Sequence, residues 1–355
     1  VTTLGALVLV VAAGGFYAVR STMVSLTTNI EQKSLLDEGS KKVDEPSGRS
    51  LDGPIDLLFL GVDARLRTDV DDVRSDSIII LHIPASHDQA YLISIPRDSK
   101  VEIPAWPKSK YRGGTDKINA AFQFGVRNGG GWEGGAQLMS KTITKLTGIQ
   151  FDGMAIIDFN GFKGIVDALG TVNYCIDQGT TSTHMVYVDG KPRWKIEARE
   201  MDGKKTPIIY KEGCQQMPGW AALDYSRERY GFDNGDYDRQ LHQRQLLKAM
   251  AQKATSAGVI TNPAKIRDVV AAAGKSFILD TGNASIEDFL FTLKELAAAD
   301  LLSLKVNKGT FTGGGSGGTA YEVLLPSTMQ MFAAVKNDTV GTYLLENPEV
   351  LDASR

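Results

Sequence analysis

A chain of 355 residues, 42% of them hydrophobic, has the length and apolar content for one large α/β domain or two smaller ones, which excludes a disordered or fibrous protein. A net charge of −3 and a pI near 5.9 exclude a general nucleic-acid binder, whose affinity comes from a cationic face that neutralises many phosphates. Any phosphate contact in this chain must therefore be local.

Leu4 to Val19 is uncharged and apolar, closed by Arg20, and sits at the short edge of the roughly 17–25 residues that span a bilayer. It predicts one transmembrane anchor over residues 1–20, with the expected basic flank upstream of Val1; a cleaved signal region or a buried helix are the alternatives. Residues 21–53 are polar and read as a stalk, most linker-like from Lys41 to Gly48. The main domain is expected over 54–345, with 346–355 as a tail.

Strand-like runs follow at Leu57–Val62, Ser77–Ile83, Ala90–Ile95, Gly153–Asp158 and Thr171–Ile176. Helical patterns fall between them at Lys117–Phe124, Ala136–Leu146 and Phe159–Leu169, the last with Phe162, Ile165, Val166 and Leu169 on one face. The pattern predicts an α/β fold with a mixed central β-sheet flanked by helices. Residues 178–212 read as an insertion carrying a small β-ribbon, Met185–Val188 and Arg193–Ile196 about an Asp189-Gly190 turn. Cys175 and Cys214 flank it. They pair if the domain is exported and are two free thiols if it is not; neither has a Cys or His neighbour at metal-ligand spacing. Ala221–Tyr225 should be helical, and a long helix should run from near Asp238 to about Ala254, its N-terminus favouring an anion beside Arg239. Helices after Asn262-Pro263, a strand at Leu302–Val306 and a glycine-rich loop at Thr312–Gly318 complete the chain.

Several catalytic patterns fail. Gly135–Thr142 has Ser140 where a P-loop needs glycine, and Asp233, Asp236 and Asp238 lead to Arg244 where a calcium loop needs Glu. His82, His87, His184 and His242 lack zinc spacing, and no Gly-x-Ser-x-Gly elbow occurs. What remains is a set of Arg/Asp pairs at strand ends: Asp63 and Arg65, Arg74 and Asp76, Arg97 and Asp98. The downstream segments Ser226-Arg227-Glu228-Arg229 and Asp236-Tyr237-Asp238-Arg239-Gln240 repeat the chemistry. Strand ends of α/β sheets are where ligand sites form, and mixed guanidinium and carboxylate groups suit a polyanion with a divalent cation.

Across about Asp56–Lys253 these motifs resemble the LytR–CpsA–Psr family of cell-wall glycopolymer ligases. The matches are Leu60-Gly61-Val62-Asp63-Ala64-Arg65, Arg74-Ser75-Asp76-Ser77, Ser94-Ile95-Pro96-Arg97-Asp98, Lys117-Ile118-Asn119-Ala120-Ala121-Phe122, and the arginine segment from Tyr225 to Gln245. The resemblance implies an αβα domain on a single-pass membrane anchor, facing outward. It also implies a phosphotransferase that moves a glycopolymer from a polyprenyl-pyrophosphate carrier to a peptidoglycan acceptor, with no nucleic-acid partner. By resemblance, Asp63 and Asp76 hold Mg²⁺ or Mn²⁺, while Arg65, Arg74, Arg97, Arg227, Arg229 and Arg239 hold phosphate oxygens. Asp98, Lys117, Gln240, Gln243 and Arg244 are implied as substrate-orienting, and Phe122, Phe124, Ile157, Phe159 and Phe162 as lining for the lipid. The chain departs from many members at His242-Gln243, where they carry Arg-Gln, and at Asp238, where they carry Gly; its cysteine pair fits actinobacterial members best. Two other activities stay open on the same residues: a polyprenyl-pyrophosphate pyrophosphatase, and a carrier-lipid or polyanion-binding module without catalysis.

Overall fold

The computed structural model describes residues 31–42, 53–62, 73–259, 262–282, 300–313 and 320–352. The expected anchor, much of the stalk, Asp63 and Arg65 lie outside the described residues. Among the described residues, no helix is long and apolar enough to cross a membrane.

The runs expected at Leu57–Val62, Ser77–Ile83, Ala90–Ile95 and Gly153–Asp158 join a mixed seven-stranded sheet, whereas the run expected at Thr171–Ile176 forms a strand outside it. The sheet contains β1 (Glu31–Gln32), β2 (Ile55–Val62), β3 (Ser75–Ile83), β4 (Gln89–Ser94), β7 (Gly153–Asp158), β13 (Phe277–Asp280) and β14 (Asp300–Leu304), in the spatial order β1-β13-β7-β2-β3-β4-β14. β2 pairs antiparallel with β3 and parallel with β7, and β4 pairs antiparallel with β3 and parallel with β14. Side chains alternate across the sheet. Leu58, Leu60, Ile80 and Ile93 enter a core with Phe122, Leu138, Met139 and Phe332, whereas Ile55, Leu57, Ile79, Leu81 and Leu92 form a second layer capped by Leu247. Both faces are covered, which is why β2 and β3 read as nearly continuous apolar runs.

The helices covering the first face are α1 (Ala120–Val126) and α2 (Gly131–Thr147), and α3 (Phe159–Ala168) follows β7, its first turn capped by the Asp158 carboxylate. Lys117 does not start a helix as its pattern suggests. It ends a strand, β6 (Gly114–Lys117), whose antiparallel partner β5 (Lys100–Ile103) sets Lys100 opposite Lys117.

The insertion is larger than a ribbon. β9 (Thr180–Val188) pairs with β10 (Lys191–Trp194) across Asp189-Gly190, both at positive φ, and with a third strand, β11 (Lys205–Tyr210), on its other edge. Pro207 conceals β11 in the sequence, because proline is tolerated only where its missing N–H faces away from the ladder, as on this edge strand. Beyond Trp194 the expected ribbon turns helical at Lys195–Ala198. A separate core of Val166, Tyr174, Tyr210, Tyr225 and Leu246 joins the insertion to two helices, α4 (Gly219–Arg227) and α5 (Asp236–Ser256).

Cys175 on β8 (Val172–Ile176) lies directly opposite Cys214 on β12 (Gly213–Met217), and the two are bonded. With the partners separated by 39 positions in sequence, the bond removes about 4 kcal/mol of unfolded-state entropy. Cys214→Ser should lower Tm by about 5 °C or more, and reduced wild type should melt like the variant in calorimetry.

Candidate functional site

The site begins with an irregularity in the β2–β3 ladder. Gly61 pairs with Ser77 but Val62 pairs with Ser75, so Asp76 is an extra residue bulged out of β3. A bulge re-aims its side chain and frees its backbone groups from the ladder. The freed Asp76 carbonyl accepts from Arg239 Nη2 at 3.1 Å. Gly61 permits this close pairing, because a Cβ there would come within 2.9 Å of Ser77 Cβ.

Arg97 leaves the end of β4 through Pro96, whose ring fixes the exit direction. Its Nη1 donates to Asp76 Oδ1 at 2.7 Å, and its Nε lies 3.7 Å from Asp236 Oδ1 and 4.0 Å from Asp98 Oδ2. Lys117 Nζ reaches Asp98 Oδ1 at 2.9 Å. From the first turn of α5, Arg239 Nη2 meets Asp236 Oδ1 at 2.7 Å, and Gln240 Nε2 donates to Asp236 Oδ2 at 3.1 Å. Ser77 Oγ donates to Gln243 Oε1 at 2.8 Å, docking α5 onto β3 beside the bulge.

Three cations and three carboxylates thus form one network: Lys117, Asp98, Arg97, Asp236 and Arg239 follow one another with alternating charge, and Asp76 branches from Arg97. Burial opposes the charge on Arg97, but Asp76, Asp236 and Asp98 together outweigh it and raise its pKa. Arg239 is more deeply buried; desolvation lowers its pKa, Asp236 opposes that, and the neighbouring charges of Arg97 and Arg229 add to the lowering. The Nε atoms of both arginines are buried and have no hydrogen-bond partner among the described residues. Spare guanidinium donors between carboxylates can take an oxyanion and still leave each arginine fixed.

Other expected site residues are placed differently. Arg74 is exposed and its Nε donates to Gln123 on α1 at 2.9 Å. Arg227 lies 3.8 Å above the Phe159 ring and 5.3 Å from that of Trp194, while Arg229 stacks on Tyr230. Arg244 is not brought to this network: it is buried on another face of α5 and its Nη2 pairs with Asp352 at 2.9 Å. The aromatic residues expected to line a lipid channel do not share one lining. Phe122 and Phe124 belong to the sheet core, Phe162 to the core under the insertion, and Phe159 to Arg227. Ile157 is half-buried on β7. The helix N-terminus near Arg239 is also already compensated: α5 starts at Asp236, two residues earlier than expected, and carries two acidic residues in its first turn. One of them, Asp238, accepts from the Asn234 amide at 2.8 Å.

His242, at the departure from the family pattern, is fully buried. Its Nε2 lies 3.0 Å from Asp177 Oδ1, and its ring packs 4.6 Å from Tyr225. Burial works against the Asp177 carboxylate, yet the hydrogen bonds from His242 and Tyr225 prevail and lower its pKa. A depressed carboxylate stabilises the fold above its unfolded pKa of about 3.9 and loses that contribution as pH falls through the folded value. Asp177→Asn should therefore flatten the loss of Tm below pH 4 in melts recorded from pH 7 to pH 2.

Asp236 is the residue whose importance the sequence hides most, since nothing in its spacing distinguishes it from Asp233 or Asp238. Its position opposite Arg97 follows from the packing of α5 on the sheet.

Fold and site together define a class: a mixed-sheet α/β domain with a half-buried guanidinium and carboxylate lattice at the tips of its central strands. The model of the LytR_cpsA_psr family matches residues 18–337, and the chain belongs to that family. It is 32% identical over 226 residues to the "Probable cell wall biosynthesis protein LcpB" of Corynebacterium glutamicum, covering 64% of this chain and 44% of that protein. The chain thus spans less than half the length of that relative. It is 28% identical over 260 residues to the polyisoprenyl-teichoic acid–peptidoglycan teichoic acid transferase TagU of Bacillus cereus, covering 73% of this chain and 72% of that one. Its fold matches the structure of YwtF (TagT) from Bacillus subtilis with bound octaprenyl pyrophosphate lipid, at a TM-score of 0.56 and 20% identity over 86% of this chain and 98% of the other.

Proposed function

We propose that this protein is a membrane-anchored phosphotransferase that moves a glycopolymer from a polyprenyl-pyrophosphate carrier to peptidoglycan. The observation that carries the reading is the pair of guanidinium groups, Arg97 half-buried and Arg239 buried, bridged by Asp236 and each with a spare Nε donor. The TagU relative is named for transfer of this kind, and the matched TagT structure holds a lipid pyrophosphate.

A peptidoglycan hydroxyl oxygen attacks the phosphorus attached to the glycan, and the bond from that phosphorus to the bridging oxygen breaks. Polyprenyl phosphate leaves, and the hydroxyl proton passes to a carboxylate of the site. The product is a phosphodiester between glycopolymer and peptidoglycan. Arg97 and Arg239 hold non-bridging oxygens and stabilise the charge that moves onto the leaving phosphate.

One part of this donor set suits a divalent ion. Among the described residues no three carboxylate, His or Cys groups are placed to hold a metal ion, but Asp76 offers a hard oxygen donor that is partly exposed. Mg²⁺ is commonly held by one or two carboxylates plus substrate phosphates, so Asp76, with Asp63 from the adjoining segment, would hold it. When bound, the ion neutralises charge on the pyrophosphate. The apolar segment Leu4–Val19 would tether the domain beside its lipid substrate on the outer face of the cell membrane.

The test incubates the protein with a labelled lipid-pyrophosphate glycan, peptidoglycan oligomers and Mg²⁺. Label should appear in peptidoglycan. Release of polyprenyl phosphate without label transfer would instead establish a pyrophosphatase.

A further inference from the structure

Behind the arginine lattice lies a carboxylate with no role in the transfer chemistry. Glu322 is 1% exposed, and its backbone joins the strand exit: its N–H donates to the Asp98 carbonyl at 2.9 Å and its carbonyl accepts from the Lys100 amide at 2.8 Å. Its Oε1 accepts from Tyr237 Oη at 2.6 Å, from Asn307 Nδ2 at 2.5 Å and from the Thr312 amide at 3.2 Å. These partners are all neutral donors. Its Oε2 is buried and has no hydrogen-bond partner among the described residues. A buried carboxylate is costly to keep without a cation, so its retention beside a site calls for a reason beyond packing.

The connections supply one. Tyr237 lies between Asp236 and Asp238 in the first turn of α5, and burial together with the Glu322 charge pushes its hydroxyl well above the ordinary range, so it stays a donor. Asn307, fully buried at φ 52°, is itself clamped because its Oδ1 accepts from the Leu325 amide and from Thr328 Oγ1, each at 2.9 Å. Glu322 therefore ties two chain segments to one rigid point. Its backbone holds the segment bearing Arg97 and Asp98, and its side chain holds the helix start bearing Asp236 and Arg239.

We propose that Glu322, acting through Tyr237, is a positioning residue that sets the spacing of Arg97, Asp236 and Arg239 around the phosphate. The proposal rests on the transferase reading for its kinetic consequence, though not for its effect on anion affinity. Displacement of a phosphate-holding group by about 1 Å can cost as much as 10²-fold in rate.

Tyr237→Phe keeps the ring and removes only the hydroxyl, Glu322→Ala removes the anchor, and Glu322→Gln keeps an oxygen for Tyr237. Calorimetry with inorganic pyrophosphate and the transfer assay are run on all three and on the double variant, with melting curves as the control for folding. Expected are losses of about tenfold in pyrophosphate affinity and in kcat for Tyr237→Phe and Glu322→Ala, as for a lost hydrogen bond to a charged group. Glu322→Gln should be restored to within about threefold, and the double variant should be no worse than the worse single one. If wild type binds pyrophosphate but transfers nothing, the transferase reading fails, and the affinity pattern alone decides the role of Glu322. Wild-type affinity in Tyr237→Phe, or losses that multiply in the double variant, overturns the proposal; if Glu322→Ala fails to fold, Tyr237→Phe and Glu322→Gln decide it.

Discussion

Arg97→Ala should lower glycopolymer transfer by about 10²–10³-fold while leaving the melting curve close to wild type. Two losses combine. The phosphate loses a donor placed by the Pro96 exit, and Asp76, Asp98 and Asp236 lose the cation that lies within 4.0 Å of each. Those carboxylates then repel an incoming pyrophosphate, so both affinity and the chemical step suffer. Arg97→Lys should recover part of the affinity and less of the rate, because an ammonium restores the charge without the planar fork that joins Asp76 to Asp236. Label incorporation at varied lipid concentration separates the two effects. A wild-type rate in Arg97→Ala would remove Arg97 from the transfer machinery.

Asp56→Ala should destabilise the domain by about 3–5 kcal/mol, the cost of removing one partner from a buried ion pair. Asp56 is 3% exposed and accepts on both oxygens, from His82 Nδ1 at 2.8 Å and from Lys42 Nζ at 2.8 Å. Lys42 also reaches Asp152 Oδ2 at 2.8 Å and the Pro54 carbonyl at 2.7 Å. Desolvation alone would lower the Lys42 pKa, but Asp56 and Asp152 reverse this and raise it. A raised lysine contributes its stabilisation below its unfolded pKa and loses it only in strong alkali, so the network holds across the physiological range. Without Asp56, Lys42 keeps one carboxylate and His82 loses its closest one. Urea melts should show the lowered midpoint, and hydrogen exchange should show early release of residues 31–42, which Lys42 pins to the start of β2. Unchanged protection there would mean that the β1–β13 pairing and the Asp280 contacts to Leu35 and Leu36 suffice.

The two predictions concern opposite ends of the same strands, and their legibility in the sequence differs. Arg97 and Asp98 stand out because proline precedes them and an apolar run ends there. Asp56 and His82 look like ordinary polar interruptions at the start of β2 and near the end of β3. Only the antiparallel register that sets Asp56 opposite His82 makes them partners. Likewise, Arg244 shares a motif with Arg239 but not a face. Five residues along a helix turn a side chain through about 500°, which leaves the two roughly 140° apart. Spacing of that kind separates site from core only when it is known which face the helix buries. β11 was hidden by Pro207, and the end of β6 was hidden because Lys117 belongs to a hairpin whose partner begins seventeen residues earlier.

By itself, the sequence determined the family, the mixed α/β class, most strand positions and the candidate arginine and aspartate residues, because these depend on local periodicity and on residue types in a fixed order. Tertiary structure alone decided which charges meet. The bulge at Asp76, the place of Asp236 between Arg97 and Arg239, the diversion of Arg244 to Asp352 and the anchoring of Tyr237 by Glu322 all join residues far apart in the chain. Such contacts are fixed by strand register and helix rotation, and a linear sequence specifies both only through the packing of the whole core.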